Sequence, residues 1–132
     1  NEIYSDPNNI FVAEFIGSPK MNIIKINKEH IANLNTFYLF NNKITFKNFE
    51  FNDEIYLGIR PEDISIKKDH EIQVDVKIDH VENLGFEKII YSKVLENQII
   101  IKSSENINSN AIKISFSKDK VLFFDKDKNR IR

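Results

Sequence analysis

The stretch IQVDVKID, Ile72 to Asp79, settles the class of fold. Ile72, Val74, Val76 and Ile78 fall on one side of an extended chain, and Gln73, Asp75, Lys77 and Asp79 on the other. A period of two with β-branched residues on the apolar side describes a half-buried β-strand and fits no helix. Working outward, the same period recurs. C-terminal to it, FEKIIYSKV and QIIIK read as strands pairing across Leu95-Glu96-Asn97, and AIKISFS alternates through Ile112, Ile114 and Phe116. VLFF then meets RIR across the polar turn DKDKN. N-terminal to it, MNIIKINK and EIYLGIR are strands, and TFYLF with KITF forms a hairpin expected to turn at Asn41-Asn42, both tolerant of positive φ.

The chain is therefore expected to be all-β, a small barrel or sandwich of about 8–10 short strands with polar turns between them. One short helix precedes it. In YSDPNNIFVAEFIG, Asp6 is placed to cap, Pro7 to occupy the first helical position and Gly17 to stop the helix, with Phe11 and Phe15 on one face. There is no second helix signal, internal repeat or low-complexity linker.

Bulk properties narrow the function. The chain has 132 residues, 41% of them apolar, with 11 Phe and 4 Tyr, which is enough for a real core. Its 19 Lys plus Arg face 20 Asp plus Glu, a balance that argues against a nucleic-acid or anionic-membrane footprint. The aromatic pairs Phe37-Tyr38 and Phe49/Phe51 could stack bases, but alternating aromatics in strands fit a core better. With no Cys there is no disulfide or thiolate chemistry, and no apolar run reaches the length of a membrane span.

The sequence carries no complete catalytic or metal-binding pattern. A phosphate-cradling loop needs clustered glycines before a Lys, and the glycines here stand apart at 17, 58 and 85. The three histidines, His30, His70 and His80, lack metal-ligand spacing. Asp79-His80-x-Glu82 puts its neighbours on opposite faces of a strand. DKDKN begins like a calcium loop but carries Arg130 where that loop needs Gly, and a charged hairpin turn is the better reading. The adjacent pairs Asp53-Glu54 and Glu62-Asp63 suit turns. Arg60 is one of three arginines in a Lys-rich chain, a planar fork suited to holding a loop by its carbonyls or a carboxylate, or to meeting a ligand. No catalytic, metal or cofactor-binding residue is expected.

Three stretches together carry a resemblance. FVAEFIGSPKMN (11–22), LGIRPED (57–63) and VENLGFE (81–87), in this order and spacing, resemble the C-terminal region of the ATP-hydrolysing subunit of sugar-importing ABC transporters, of the maltose and glycerol-3-phosphate importer type. VLFFDKDKNRIR is similar to that family's closing hairpin. Phe86 stands where the family often has a polar residue, and the DKDKN turn lacks the usual Gly.

The resemblance implies an oligonucleotide/oligosaccharide-binding-type (TOBE or MOP) regulatory domain over residues 18–132. Residues 1–17 would then be the helical tail of a nucleotide-binding domain. ATP and Mg would belong to that other domain, with no cofactor in this chain. Implied partners are a second copy of the ATPase subunit, membrane permease subunits and a regulatory protein, at the cytoplasmic face of the membrane. The residues implied in contacts are Arg60, Glu62, Asp63, Glu82, Asn83, Gly85 and Phe124. For Gly85, Arg60, Glu62 and Phe124 a purely structural role stands beside that reading. The alternative is a stand-alone module of the same fold that binds an oxyanion or a small sugar.

Overall fold

The computed structural model describes residues 6–15, 17 and 19–132. It is an all-β, OB-like fold with one short helix. Among the described residues there are twelve strands, and the excess over the sequence expectation comes from pieces of two or three residues that alternation cannot reveal. The chain forms two compact units: Asn1–Gly58 with Val121–Arg132, and Ile59–Lys120.

The first unit holds helix α1 (Ile10–Phe15) and strands β1 (Asn22–Ile26), β2 (Ile31–Asn33), β3 (Thr36–Leu39), β4 (Asn42–Thr45), β5 (Ile55–Ile59), β11 (Leu122–Phe124) and β12 (Arg130–Ile131). Its sheets run β1-β5-β11-β12 and β2-β3-β4. The centre is β11, where Leu122, Phe123 and Phe124 are all buried. Phe123 points into a phenylalanine cluster, with ring centroids 4.7 Å from Phe46, 4.9 Å from Phe49, 5.0 Å from Phe51 and 5.9 Å from Phe37. Most of these contacts are edge-on, the arrangement that the ring quadrupole favours, each worth about 0.5–1.5 kcal/mol beyond burial. Phe37 and Phe51 are thus core. Leu122 and Phe124 pack with Ile10, Ala13 and Met21. Gly58 sits where a Cβ would come within 2.6 Å of the Met21 sulfur and 3.1 Å of the Phe124 ring, so close packing demands glycine there.

Two local expectations shift. α1 starts at Ile10, not at Pro7, and its cap is Asn9, whose Oδ1 accepts the Val12 N–H at 2.9 Å. Asp6 is occupied elsewhere: its carboxylate pairs with the guanidiniums of Arg130 and Arg132, the latter at 2.9 Å. Those partners hold the Asp6 carboxyl below the usual range, Arg132 foremost. The segment is also stitched to the chain's end by Ile10 N–H to Lys128 C=O and by Arg130 N–H to Asn8 C=O. Of the expected tail 1–17, residues 1–5 and Ile16 lie outside the described residues, as does the Phe15 side chain needed for the Phe11–Phe15 pairing. Gly17 has φ +105°.

The β3–β4 hairpin turns at Phe40-Asn41, one residue earlier than expected, with φ of 47° and 71°. The resulting register sets Phe37 opposite Ile44 and Thr36 opposite Thr45. Inside the hairpin, Thr36 and Thr45 share a hydroxyl hydrogen bond at 2.8 Å.

The second unit is a single five-stranded sheet in the order β6-β10-β7-β8-β9. These strands are β6 (Ile64–Ser65), β7 (Ile72–Asn83), β8 (Lys88–Val94), β9 (Asn97–Ser103) and β10 (Ala111–Phe116). The sheet curls into a half-barrel, and its edge strands β6 and β9 touch. Ile72, Val74 and Val76 are buried as the alternation demands, with Ile89, Ile90, Ile99, Ile101, Ile114 and Phe116 completing an almost wholly aliphatic core. Ser115 is buried too, its hydroxyl donating to Lys67 C=O at 2.5 Å and accepting the His70 N–H at 3.1 Å.

Candidate functional site: two turns of the five-stranded unit

LGIRPED forms the end of β5, a single 3-10 turn at Pro61–Asp63 and the approach to β6. Pro fixes φ for the start of the turn, Asp63 N–H donates to Arg60 C=O at 3.0 Å, and Ile64 N–H closes onto Pro61 C=O. The turn packs on β9. Arg60 is buried at 8% exposure and Pro61 is buried, whereas Glu62 is exposed and Asp63 is half-buried. Of this motif, Glu62 is the side chain most open to a partner.

VENLGFE forms the tip of the β7–β8 hairpin. Leu84 N–H donates to Glu87 C=O at 2.9 Å, and the Asn83 side chain accepts the Gly85 N–H at 3.0 Å. Gly85 has φ +96° with nothing within 4 Å of where a Cβ would stand. Its glycine is thus a matter of backbone conformation and not of space. Glu82, Asn83 and Gly85 are all exposed. Among the described residues, no hydrogen bond or ion pair joins Glu62 or Asp63 to Glu82 or Asn83. The two turns are separate features.

Phe124 belongs to neither. It is fully buried beside Met21 and Leu122 in the other unit, and its role is packing. The closing DKDKN turn is bonded within itself: the Asp125 carboxylate accepts the N–H groups of Asp127 and Asn129, each at 2.9 Å. The carboxylates held low by partners also serve structure. Glu71 accepts the Lys118 N–H at 2.6 Å, and Asp53 takes the Glu54 N–H and pairs with Lys126 at 3.2 Å. Among the described residues no cluster of three or more metal-ligating side chains occurs, and no helix is long and apolar enough to cross a membrane.

Sequence reasoning missed the apolar side chains at the hairpin tip. Val81, Leu84 and Phe86 are 38%, 55% and 96% exposed. They fall within six residues of one hairpin, and Leu95, in the β8–β9 turn of the same unit, is 81% exposed as well. The signal was present in the sequence: Leu84 and Phe86 flank a glycine in the turn itself, beyond the reach of the strand's alternating core face.

The five-stranded unit is thus a curled, OB-like sheet with an exposed hairpin at the end of β7. No family model matches the chain. It is 36% identical over 96 residues to the maltose/maltodextrin import ATP-binding protein MalK of Aliivibrio fischeri, a match covering 68% of this chain and 26% of that protein. It is 30% identical over 100 residues to the xylose/arabinose import ATP-binding protein XacJ of Haloferax volcanii, with the same two coverages. The sn-glycerol-3-phosphate import ATP-binding protein UgpC of Roseobacter denitrificans is 28% identical over 137 residues, 96% of this chain and 37% of that protein. The chain belongs to the family of ABC transporter ATP-binding proteins and corresponds to its C-terminal domain. It spans 26% to 37% of the length of these relatives.

Proposed function

We propose that this chain is the regulatory and dimerisation domain of the ATP-hydrolysing subunit of a carbohydrate importer. The observation that carries the reading is the match of 68% to 96% of the chain to import ATP-binding proteins several times its length. Residues 18–132 supply contact and no chemistry, and residues 1–17 lead in from the nucleotide-binding domain. ATP and Mg act in that domain, which also meets the membrane permease subunits on the cytoplasmic side.

The physical role is bivalency. A lasting contact between two C-terminal domains keeps two nucleotide sites at high effective concentration while they part and close in each cycle. Glu62 and the β7–β8 tip are the exposed parts of the two family motifs, and one of them can receive a regulatory protein.

The test uses the complete subunit with and without the segment equivalent to 18–132, measured by analytical ultracentrifugation in the absence of nucleotide. The complete subunit is expected to be dimeric and the shortened one monomeric. A complete subunit that is monomeric without nucleotide, or saturable binding of an oxyanion or sugar by residues 18–132, would turn the reading toward a ligand-binding module.

A further inference from the structure

The core face of the β7–β8 hairpin is left open toward its far end. β10 pairs with β7 from Ile72 to Lys77 and no further, while β8 accompanies β7 to Asn83. The last link on the β10 side runs from Ile78 N–H to the Asn110 carbonyl at 2.7 Å. By alternation, Val81 and Lys88 share the face of Ile90 and Ser92. Ile90 and Ser92 have no exposed surface, whereas Ile78 and Lys88 are half-buried and Val81 is exposed. A groove of about 630 Å³ lies there, lined by Ile78, Val81 and Lys88 together with residues 106–110, the run NINSN. That volume is within the usual range of ligand clefts.

The lining carries one charge, and it is positive. Among the described residues the Lys88 ammonium has no ion pair or hydrogen bond. The carboxylates near it in sequence are engaged or averted. Glu87 pairs with Lys102 at 3.5 Å, and Glu82 alternates to the other face of the hairpin with His80. The side-chain amides of Asn106, Asn108 and Asn110 also have no partner among the described residues. Each offers a donor and an acceptor side by side, the pair that a peptide unit needs. Ser109 is occupied locally, its hydroxyl bonded to the main chain of Ala111.

Val81 adds main-chain groups to this lining. The bond from Leu84 N–H to Glu87 C=O marks 84/87 as a hydrogen-bonded pair, so alternation turns the N–H and C=O of Val81 away from β8. The groove thus combines free amides, one open stretch of strand edge, a lone cation and the apolar side chains of Ile78, Val81 and Ile107.

We propose that this groove receives an extended, acidic segment of a partner protein. A carboxylate of the segment meets Lys88, and its peptide groups bond to the asparagine amides and to Val81. Its apolar side chains rest on Ile78, Val81 and Ile107. Asn110 keeps its place opposite Ile78, and the segment lies past it. Charge selects the occupant: a basic segment would set a second cation against Lys88 with no carboxylate in the lining to relieve it. Main-chain bonds supply affinity for such a segment, and the charge supplies its specificity. The proposal goes beyond the functional reading above, because it does not require two copies to meet.

The 132-residue chain itself serves for the test. The probe is a fluorescein-labelled, C-terminally amidated hexapeptide of alternating valine and glutamate, followed by anisotropy. Valine–glutamine and valine–lysine peptides of the same length are compared with it. The acidic peptide is expected to bind saturably and about tenfold more tightly than the neutral one, the usual worth of a hydrogen bond to a charged group. The basic peptide should bind most weakly. Lys88→Gln should remove the acidic peptide's advantage, and Lys88→Arg should keep most of it. Asn106→Ala combined with Asn108→Ala should weaken the acidic and neutral peptides alike, by several-fold. Lys93→Gln, an exposed lysine on the opposite face of β8, should change nothing. Urea unfolding checks that each variant is folded, and the peptide series on the unaltered chain needs no variant.

Absence of binding, equal binding of the three peptides, or a loss from Lys93→Gln as large as that from Lys88→Gln overturns the proposal. None of these outcomes touches the nucleotide-free dimer of the complete subunit, so the functional reading stands or falls on its own test.

Discussion

Phe123 and Phe86 are the same side chain in opposite circumstances. Phe123 lies on β11 with no exposed surface, ringed by four other phenylalanines, and Leu122 and Phe124 on either side of it are buried as well. Phe86 lies on the β7–β8 turn, 96% exposed, next to a glycine and an exposed Leu84. In the sequence both sit in short apolar runs bounded by charge. What separates them is the number of partners each can reach. β11 has strands on both sides and apolar residues against both faces, whereas the tip extends past the last strand of its own sheet. Hydrophobicity alone says that a residue is better off covered; only topology says whether its own chain can cover it.

Truncating the two rings sharpens this contrast. Phe123→Ala removes a fully buried ring from the centre of its cluster and is expected to cost about 3–5 kcal/mol, from lost burial and the cavity left behind. Urea titration followed by circular dichroism measures it. A cost below about 1 kcal/mol, as for an ordinary surface change, would mean that the cluster collapses around the gap and that β11 is not the organiser of its unit.

Gly58→Ala probes the other face of β11. The added Cβ would crowd the Met21 sulfur at 2.6 Å and the Phe124 ring at 3.1 Å. Methionine is pliable and the ring edge is not, so a destabilisation of about 1–2 kcal/mol is expected, toward the lower end of overpacking costs. Pairing it with Met21→Ala, which opens the space, should return part of that loss in a double-mutant cycle. Strict additivity would place the strain elsewhere.

How much of this was legible follows the same division between local and non-local causes. The strand over Ile72–Asp79, the all-β class, the turn at DKDKN and the glycine at 85 were readable, because alternation, turn chemistry and positive φ are properties of a few adjacent residues. The cap of α1 was misplaced from Asn9 to Asp6 because Asp6 is claimed by Arg130 and Arg132, more than a hundred residues away. The β3–β4 turn lies one residue early, with Phe40 at φ 47°, in the register that pairs the Thr36 and Thr45 hydroxyls, a cross-strand bond that turn propensity does not contain. At the candidate site, the motifs fall on two turns, but the exposure of each side chain in them is not written in the motif. Arg60 is buried and Phe124 is core, and no spacing rule distinguishes them from exposed neighbours such as Glu62.

Phe86→Ala carries the comparison to its other end. The ring touches little of its own unit, so the folded chain should lose no more than about 0.5 kcal/mol, the usual range of a surface change. If the tip is there to reach a second copy, the effect appears in association instead. In the complete subunit, Phe86→Ala should weaken nucleotide-free dimerisation several-fold by analytical ultracentrifugation while leaving the unfolding curve in place, because an anchoring aromatic at a small interface carries a large share of its energy. Unchanged dimerisation would leave the ring as ordinary surface. A large loss of stability would show instead that the ring is covered by its own chain in solution, and the contrast between the two phenylalanines would disappear.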